Sequence, residues 1–296
     1  MIKIGMSIPS TVADVDIATL RQWIAAIDQG PFSRLATGER IASPFLDLQC
    51  VLSAAAVLTE RVPIQSLIAV TPYHEEVLVA KQAATIDVLS SGRFTLGVGV
   101  GMREYDYALM NKQAHFKSRL ARLDKQIKTI KDIWSGDFEF PDAPKIGPAP
   151  IQAGGPKIFS SSLGPKSMAR AVQWADGLAG FNLTGDMAEL KKIYQRFLSL
   201  WQDSGRKGKP WMQVALWFSL GDQAETQLKD FAMDYMKIFG DDYAKKTANL
   251  CWLNSNEHIK QAIEQLEAIG YDEVILTPTT GDITELDRAC ELVASL

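Results

Sequence analysis

The stretch Ala80–Glu104, AKQAATIDVLSSGRFTLGVGVGMRE, reads as three pieces in fixed order. The first is a helix, since Val77, Ala80, Ala84 and Val88 recur at steps of three and four and build one apolar face. Gly92 then supplies the left-handed residue that ends a helix. Phe94 to Val98 is a short strand, and it runs into GVGVG, where small residues let a second backbone or a ligand come close. A dinucleotide fingerprint would need a fuller glycine pattern and a helix opening at once. Here there is only G-x-G-x-G, and Met102 to Lys112 reads as loop. The other reading is that Gly97 and Gly99 ease packing inside a closed sheet, which leaves Gly101 as the better ligand candidate.

The same alternation extends in both directions. Strands are predicted at Ile2–Ile8, Ser33–Gly38 and Val62–Val70 before this stretch. After it come Lys157–Ser160, Gly177–Asn182, Trp211–Leu220 and Glu273–Thr277. Helical periodicity lies between them. Asp16 is placed to cap a helix with Ile17, Leu20, Ile24 and Ile27 on one face, and Pro44–Leu58 forms the next. Phe116–Trp134 carries a stripe of Leu120, Leu123, Ile127, Ile130 and Trp134; the basic face of Arg119, Arg122, Lys125 and Lys128 reads as solvated. Further helices are predicted at Lys166–Ala175, Asp186–Trp201, Gln223–Phe239, Glu257–Ile269 and Ile283–Leu296. PDAPKIGPAPIQAGGP, with five prolines and three glycines, is an ordered excursion and no helix. Eight strands alternating with helices predict a parallel sheet with helical crossovers. The expected fold is α/β: a single (β/α)8 TIM barrel over residues 1–296, with an ordered Pro/Gly-rich insertion before strand five.

The totals remove several classes. A hydrophobic share of 47% and a charged share of 22% are ordinary for a globular chain, and a net charge of −4 argues against a nucleic-acid partner. Cys50, Cys251 and Cys290 are widely spaced and form neither a metal-ligand pattern nor a disulfide framework, which suits a cytoplasmic location. No apolar run reaches the roughly 18 residues of a membrane span. The opening MIKIGMSIP is a strand and lacks the features of a signal peptide.

A barrel keeps its chemistry at the C-terminal ends of its strands. That selects the loops Pro9-Ser10, Glu39-Arg40, Ala69–Tyr73, Gly99–Arg103, Ser161–Gly164, Leu183-Thr184 and Thr277–Thr280. Ser160–Gly164, SSSLG, joins a strand to a helix; free N–H groups and serine hydroxyls suit a phosphate there, with Lys166 adding charge. The alternative is plain N-capping by Ser162. Glu39 and Arg40 are either substrate contacts or an ion pair closing the rim. His258 follows a capping segment and is expected to be exposed. His74 and His115 lie in or beside rim loops, and neither has a partner in sequence that marks an acid/base pair. There is no G-x-S-x-G elbow and no clustered metal set, so no catalytic residue is assigned. An enzyme without its own nucleophile or metal draws its chemistry from an organic cofactor.

LTERVPI, AKQAATIDVLSSGRFTLGVGVG, IGPAPIQAGGP and ARAVQWADG stand in an order and spacing that resemble the bacterial-luciferase-like flavin monooxygenase superfamily, closest to its coenzyme F-420-dependent oxidoreductases. The resemblance implies a flavin or deazaflavin, FMN or coenzyme F-420, in the barrel mouth, and a small-molecule substrate, with a homodimer left open. It places the cofactor phosphate at Ser161, Ser162, Leu163 and Gly164, where two family glycines are replaced by Ser161 and Ser162. A second cofactor contact falls on Val100, Gly101 and Met102, continuing to Arg103. The third strand of the family often carries a non-prolyl cis peptide under the ring; the aligned residues are Ser66 and Leu67. Many members have a functional histidine at the end of strand two, and here Arg40 stands after Glu39 at the matching position. An arginine holds its charge, so the implied role is to bind an anionic substrate or a carboxylate of the cofactor tail. The implied activity is hydride transfer or oxygen activation at the reduced cofactor. Two other readings are a flavin-binding protein without catalysis and a cofactor-free phosphate-binding barrel enzyme.

Overall fold

The computed structural model describes residues 1–9, 12 and 15–296. The chain order is β1 (Lys3–Ser7), α1 (Ile17–Gln29), β2 (Leu35–Thr37), α2 (Leu48–Leu58), β3 (Ile64–Ser66), β4 (Ala69–Val70), α3 (Glu76–Leu89) and β5 (Phe94–Gly99). It continues with α4 (Glu104–Leu109), α5 (Arg119–Ser135), β6 (Lys157–Ser160), α6 (Pro165–Ala171), β7 (Gly177–Asn182) and α7 (Met187–Asp203). The last part is β8 (Trp211–Phe218), α8 (Ala224–Met236), α9 (Asp241–Leu250), α10 (Asn256–Ile269), β9 (Glu273–Pro278) and α11 (Ile283–Ala294). Every pairing is parallel, and the sheet closes: β1 pairs with both β2 and β9, and β3 pairs across to β5. β3 and β4 are two halves of one stave, so nine segments make an eight-stave (β/α)8 barrel.

Alternation along the strands sorts the side chains. Ile4, Leu35, Ile64, Leu96, Leu178, Val214 and Val274 belong to the large apolar cluster shared with the helices. The other set points inward, and at the lower end it is polar. At the lower end Arg34 Nε meets Glu273 Oε2 at 2.9 Å, Gln213 donates to the same oxygen at 2.8 Å, and Ser33 donates to Oε1 at 2.7 Å. Arg34 also reaches Thr95 at 3.1 Å, and Gln65 reaches Gln213 at 2.7 Å. A buried charge pair is tolerable when its remaining hydrogen-bonding groups find partners, as here. Above it Ala36, Ala215 and Ile275 form a small apolar layer with Leu67 and Phe181. This layering leaves the C-terminal end as the place for a site.

Several local expectations change. Ile17, Val77 and Val88 are exposed; α3 buries Ala80 and Ala84 as expected and adds Val79, Ala83 and Ile86, because its neighbours flank a wider face than one narrow stripe. The second helix starts at Leu48, where the Asp47 carboxylate accepts from Cys50 N at 2.9 Å, and not at Pro44. Met102–Lys112 is not all loop, since α4 opens at Glu104. The helix after β7 and those after β6 and β8 shift by a few residues, and α9 adds a helix that its polar composition hid. Arg119 and Arg122 are not simply solvated. Arg119 stacks on Phe116 at 4.2 Å, and Arg122 donates to His74 O at 3.1 Å and pairs with Glu75 at 3.5 Å. The Pro/Gly-rich insertion is ordered by one buried carboxylate. Asp87 accepts from Ile151 N at 2.8 Å, Gln152 N at 3.0 Å and Gln152 Nε2 at 2.6 Å.

Candidate active site at the barrel mouth

The mouth floor is made where inward positions carry almost no side chain. Ser7, Gly38, Gly99 and Ser161 come from four different staves. A Cβ on Gly38 would lie 2.8 Å from Leu67 O, and one on Gly99 would lie 2.4 Å from both Ile68 Cδ1 and Ser161 Oγ. Glycine is needed at both positions because neighbouring staves already occupy that space. Gly97, one layer below, would place a Cβ 2.0 Å from Ser66 O, so its role is packing. Gly101 has φ +65° and sits against Val70 and Tyr73. Thr277, on β9, has a buried hydroxyl with no hydrogen-bond partner among the described residues. Phe181 and Trp217 pack edge to face at 5.2 Å and form one wall.

The third stave is broken in the middle. The non-prolyl cis bond joins Leu67 to Ile68, one residue later than the aligned pair Ser66-Leu67. Ser66 is fully buried and its hydroxyl is committed to β5, donating to Gly97 O at 2.8 Å and accepting from Gly97 N at 2.9 Å. Leu67 is the residue of the pair that borders the barrel interior.

The serine loop differs in detail from its sequence reading. Ser161 N–H is not free, because it donates to Val98 O at 2.9 Å and prolongs the ladder. Ser162 is not the N-cap of α6; Gly164 holds that position, without a side-chain cap, and Pro165 follows. The Ser162 hydroxyl pairs with that of Ser160 at 2.8 Å, while Leu163 and Lys166 are exposed. Val100 presents its carbonyl to the Tyr107 hydroxyl at 2.6 Å, and Met102 is exposed. Ser10, in the first rim loop, lies outside the described residues.

At the rim, Glu39 does not pair with Arg40. Its carboxylate is buried and accepts from Val70 N at 2.6 Å, and its other oxygen lies 2.7 Å from His74 Nε2. So His74 does have a carboxylate partner, supplied by a loop 35 positions away. Burial alone would push the imidazole down, but the hydrogen bond to Glu39 and its charge outweigh that, and the His74 pKa is raised. His258 is half-buried, with Nδ1 2.8 Å from Asn254 Oδ1. Tyr73 donates to Asp106 at 3.3 Å, and burial pushes its phenol up.

Above the floor, α8 and α9 interrupt the path from β8 to α10. Trp217 packs against Tyr235 of α8 at 5.0 Å. Arg40, after β2, lies over that tyrosine ring at 4.8 Å, and Arg103, after β5, lies over it at 5.2 Å. Arg103 and Tyr235 are rim residues that periodicity cannot join. A cleft of about 280 Å³ lined by Lys131, Trp134, Gly155 and Asp176 opens at the opposite end, where β6 enters the barrel. Among the described residues no group of His, Cys, Asp and Glu could hold a metal ion, and no helix is long and apolar enough to cross a membrane.

Residues 2–261 match the sequence profile of luciferase-like monooxygenases. The chain belongs to that family. The oxygenase component of a flavin-dependent trigonelline monooxygenase from Acinetobacter baylyi is 30% identical over 159 residues, 49% of this chain and 43% of that protein. This chain spans about half the length of the curated relatives it matches first, between 43% and 57%. The fold also matches solved structures. An F420-dependent secondary alcohol dehydrogenase in complex with an F420-acetone adduct superposes with a TM-score of 0.82 at 18% identity, over 100% of this chain and 99% of that one. The oxygenating constituent of 3,6-diketocamphane monooxygenase from Pseudomonas putida, in complex with FMN, gives a TM-score of 0.72 at 14% identity, over 99% of this chain and 96% of that one. At such identities these two likenesses show the fold alone.

Proposed function

We propose that this luciferase-like chain is an oxidoreductase that holds a reduced flavin-type cofactor, FMN or coenzyme F-420, on the mouth floor and acts there on a small organic molecule. The observation that carries the reading is the floor itself: Ser7, Gly38, Gly99 and Ser161 leave a shallow surface on which a planar tricyclic ring can lie, with Leu67 beneath it. The orphaned Thr277 hydroxyl supplies a hydrogen-bonding group to a polar ring edge. Ser161, Ser162, Leu163 and Gly164 would hold the cofactor phosphate, and Val100, Gly101 and Met102 would border its chain. When bound, the reduced cofactor supplies a hydride, and FMN also supplies a route to oxygen. The protein's part is to orient the ring, exclude water with Phe181 and Trp217, and hold a proton at His74 Nε2 against Glu39.

Separate titrations with FMN, coenzyme F-420 and riboflavin test the binding half. Absorbance of each reduced cofactor with and without oxygen then tests the chemistry. Saturable binding of FMN or coenzyme F-420 is expected, with riboflavin weaker. Failure of both phosphorylated cofactors to bind would sink the proposal.

A further inference from the structure

Other arginines of this chain find oxygen partners, whether buried like Arg34, half-buried like Arg93 or exposed like Arg61. Arg34 meets Glu273 and Thr95, Arg61 donates to Asp28 O, Ile27 O, Gly30 O and Phe32 O, and Arg93 donates to Thr59 and Val62 O. Arg40 and Arg103 are different. Both Nε atoms are buried without a hydrogen-bond partner among the described residues; Arg119 Nε is too, but that guanidinium still donates through Nη1 to Phe116 O at 2.6 Å. Among the described residues neither guanidinium has a carboxylate within 4.0 Å. Glu39, the adjacent carboxylate, is turned away to His74 and Val70 N. What the two cations do share is a ring: Tyr235 lies at 4.8 Å from one and 5.2 Å from the other. Phe45 flanks Arg40 and Phe239 flanks Arg103, each at 5.8 Å. Aromatic faces hold a guanidinium in place without consuming its donors. Two fixed positive charges beside one ring, neither with a carboxylate within 4.0 Å among the described residues, favour an anion that reaches both.

We infer that Arg40 and Arg103 are an oxyanion clamp, backed by Tyr235, that takes the carboxylate of an aromatic or similarly flat organic acid as substrate. The inference rests on the proposed function only in taking the mouth as the substrate site. A carboxylate offers about four lone-pair sites, and two guanidinium forks can present two donors each. The clamp joins staves two and four to α8, which follows stave seven. The serine loop assigned to the cofactor phosphate follows stave five and is a separate element. Phe45, Phe239 and Tyr235 give the acid an apolar frame.

Calorimetric and thermal-shift titrations with benzoate and benzamide, on the cofactor-free protein and at matched ionic strength, test the clamp. Benzoate should bind and raise the melting temperature, and benzamide, the same shape without the charge, should do neither. Arg40→Gln and Arg103→Gln should each lower benzoate affinity at least about tenfold, the weight of one charge-assisted hydrogen bond. Arg40→Lys, which keeps the charge and loses the fork, should fall between and guards against a variant that fails to fold. FMN, which has no tail carboxylate, should bind the Arg40 variants as it binds the wild type. Absence of benzoate binding to the wild type, equal binding of benzamide, or undiminished affinity in both glutamine variants would overturn the clamp. A loss of FMN or coenzyme F-420 affinity in place of benzoate affinity would overturn it too, by giving the arginines to the cofactor. Benzoate and cofactor are titrated separately, so either reading can fail while the other stands.

Discussion

Glu285 anchors the base of the covering helices, and its replacement by Gln should change how stability depends on pH. The side chain is 1% exposed, and its two oxygens accept from Leu220 N at 2.9 and 3.1 Å. Leu220 stands where the chain leaves β8 for α8. Burial pushes the carboxyl up from 4.5 to about 7, against the opposing pull of Leu220 N–H, the Ser219 hydroxyl and Arg288. A carboxyl whose pKa rises on folding holds its proton more tightly in the folded state. Its contribution is therefore most favourable at pH below 4.5 and is lost as pH rises from there through about 7. At about 1.36 kcal/mol per pH unit, the interval corresponds to about 3 kcal/mol. Glu285→Gln keeps the acceptor for Leu220 N and removes the titration. Urea unfolding of both proteins at several pH values from about 5 to about 8 isolates the effect, because other titrating groups cancel in the difference. The wild type should lose up to about 3 kcal/mol relative to the variant as pH rises through this window. A difference that stays constant, or grows in favour of the wild type with rising pH, would refute the reasoning.

Four other outcomes are expected. Ser162→Ala should weaken FMN about tenfold or more by removing one donor to an anion, with riboflavin unaffected, in parallel fluorescence titrations. Asp87→Asn disrupts the three bonds that order the insertion and should lower urea stability by about 2–3 kcal/mol while speeding proteolysis within residues 141–156. Gly97→Ala forces a Cβ against the Ser66 carbonyl, so soluble yield and the near-ultraviolet dichroism of the folded core should both collapse. Glu39→Gln removes the charge that raises His74, so the imidazole pKa read by NMR should fall; stability that was present below the ordinary value of 6.5, and lost as pH rose through the raised one, should go with it.

The barrel was legible because its signal is periodic. Phe94–Gly99, Gly177–Asn182 and Trp211–Phe218 are apolar runs bounded by turns, and their spacing with helices implies a parallel closed sheet. The errors fall where periodicity does not decide. Val77 and Val88 fit a helical stripe yet face outward, since Val79, Ala83 and Ile86 also fit one and the neighbouring helices select them. Ser66 shows the same limit from the other side: its place on a stave near the mouth was readable, but strand parity sends its hydroxyl outward into β5.

The site is less legible than the floor because its rim is built by loops that meet only after closure. Glu39 reads as a charge beside Arg40, and in the fold the two part company: one turns to His74, the other to Tyr235. That separation decides what each can do. Glu39 is spent on a buried hydrogen bond and a backbone N–H, so it orients the rim. Arg40 keeps its donors because the carboxylate next to it is already engaged. Sequence adjacency left substrate contacts and a rim ion pair both open; the structure has no such pair and two independent devices instead. The polar helices α8 and α9 bring Tyr235 down onto both arginines, a contact no local pattern encodes. A substitution at Tyr235 should consequently register at two staves at once, and that coupling follows from the closed barrel rather than from any motif.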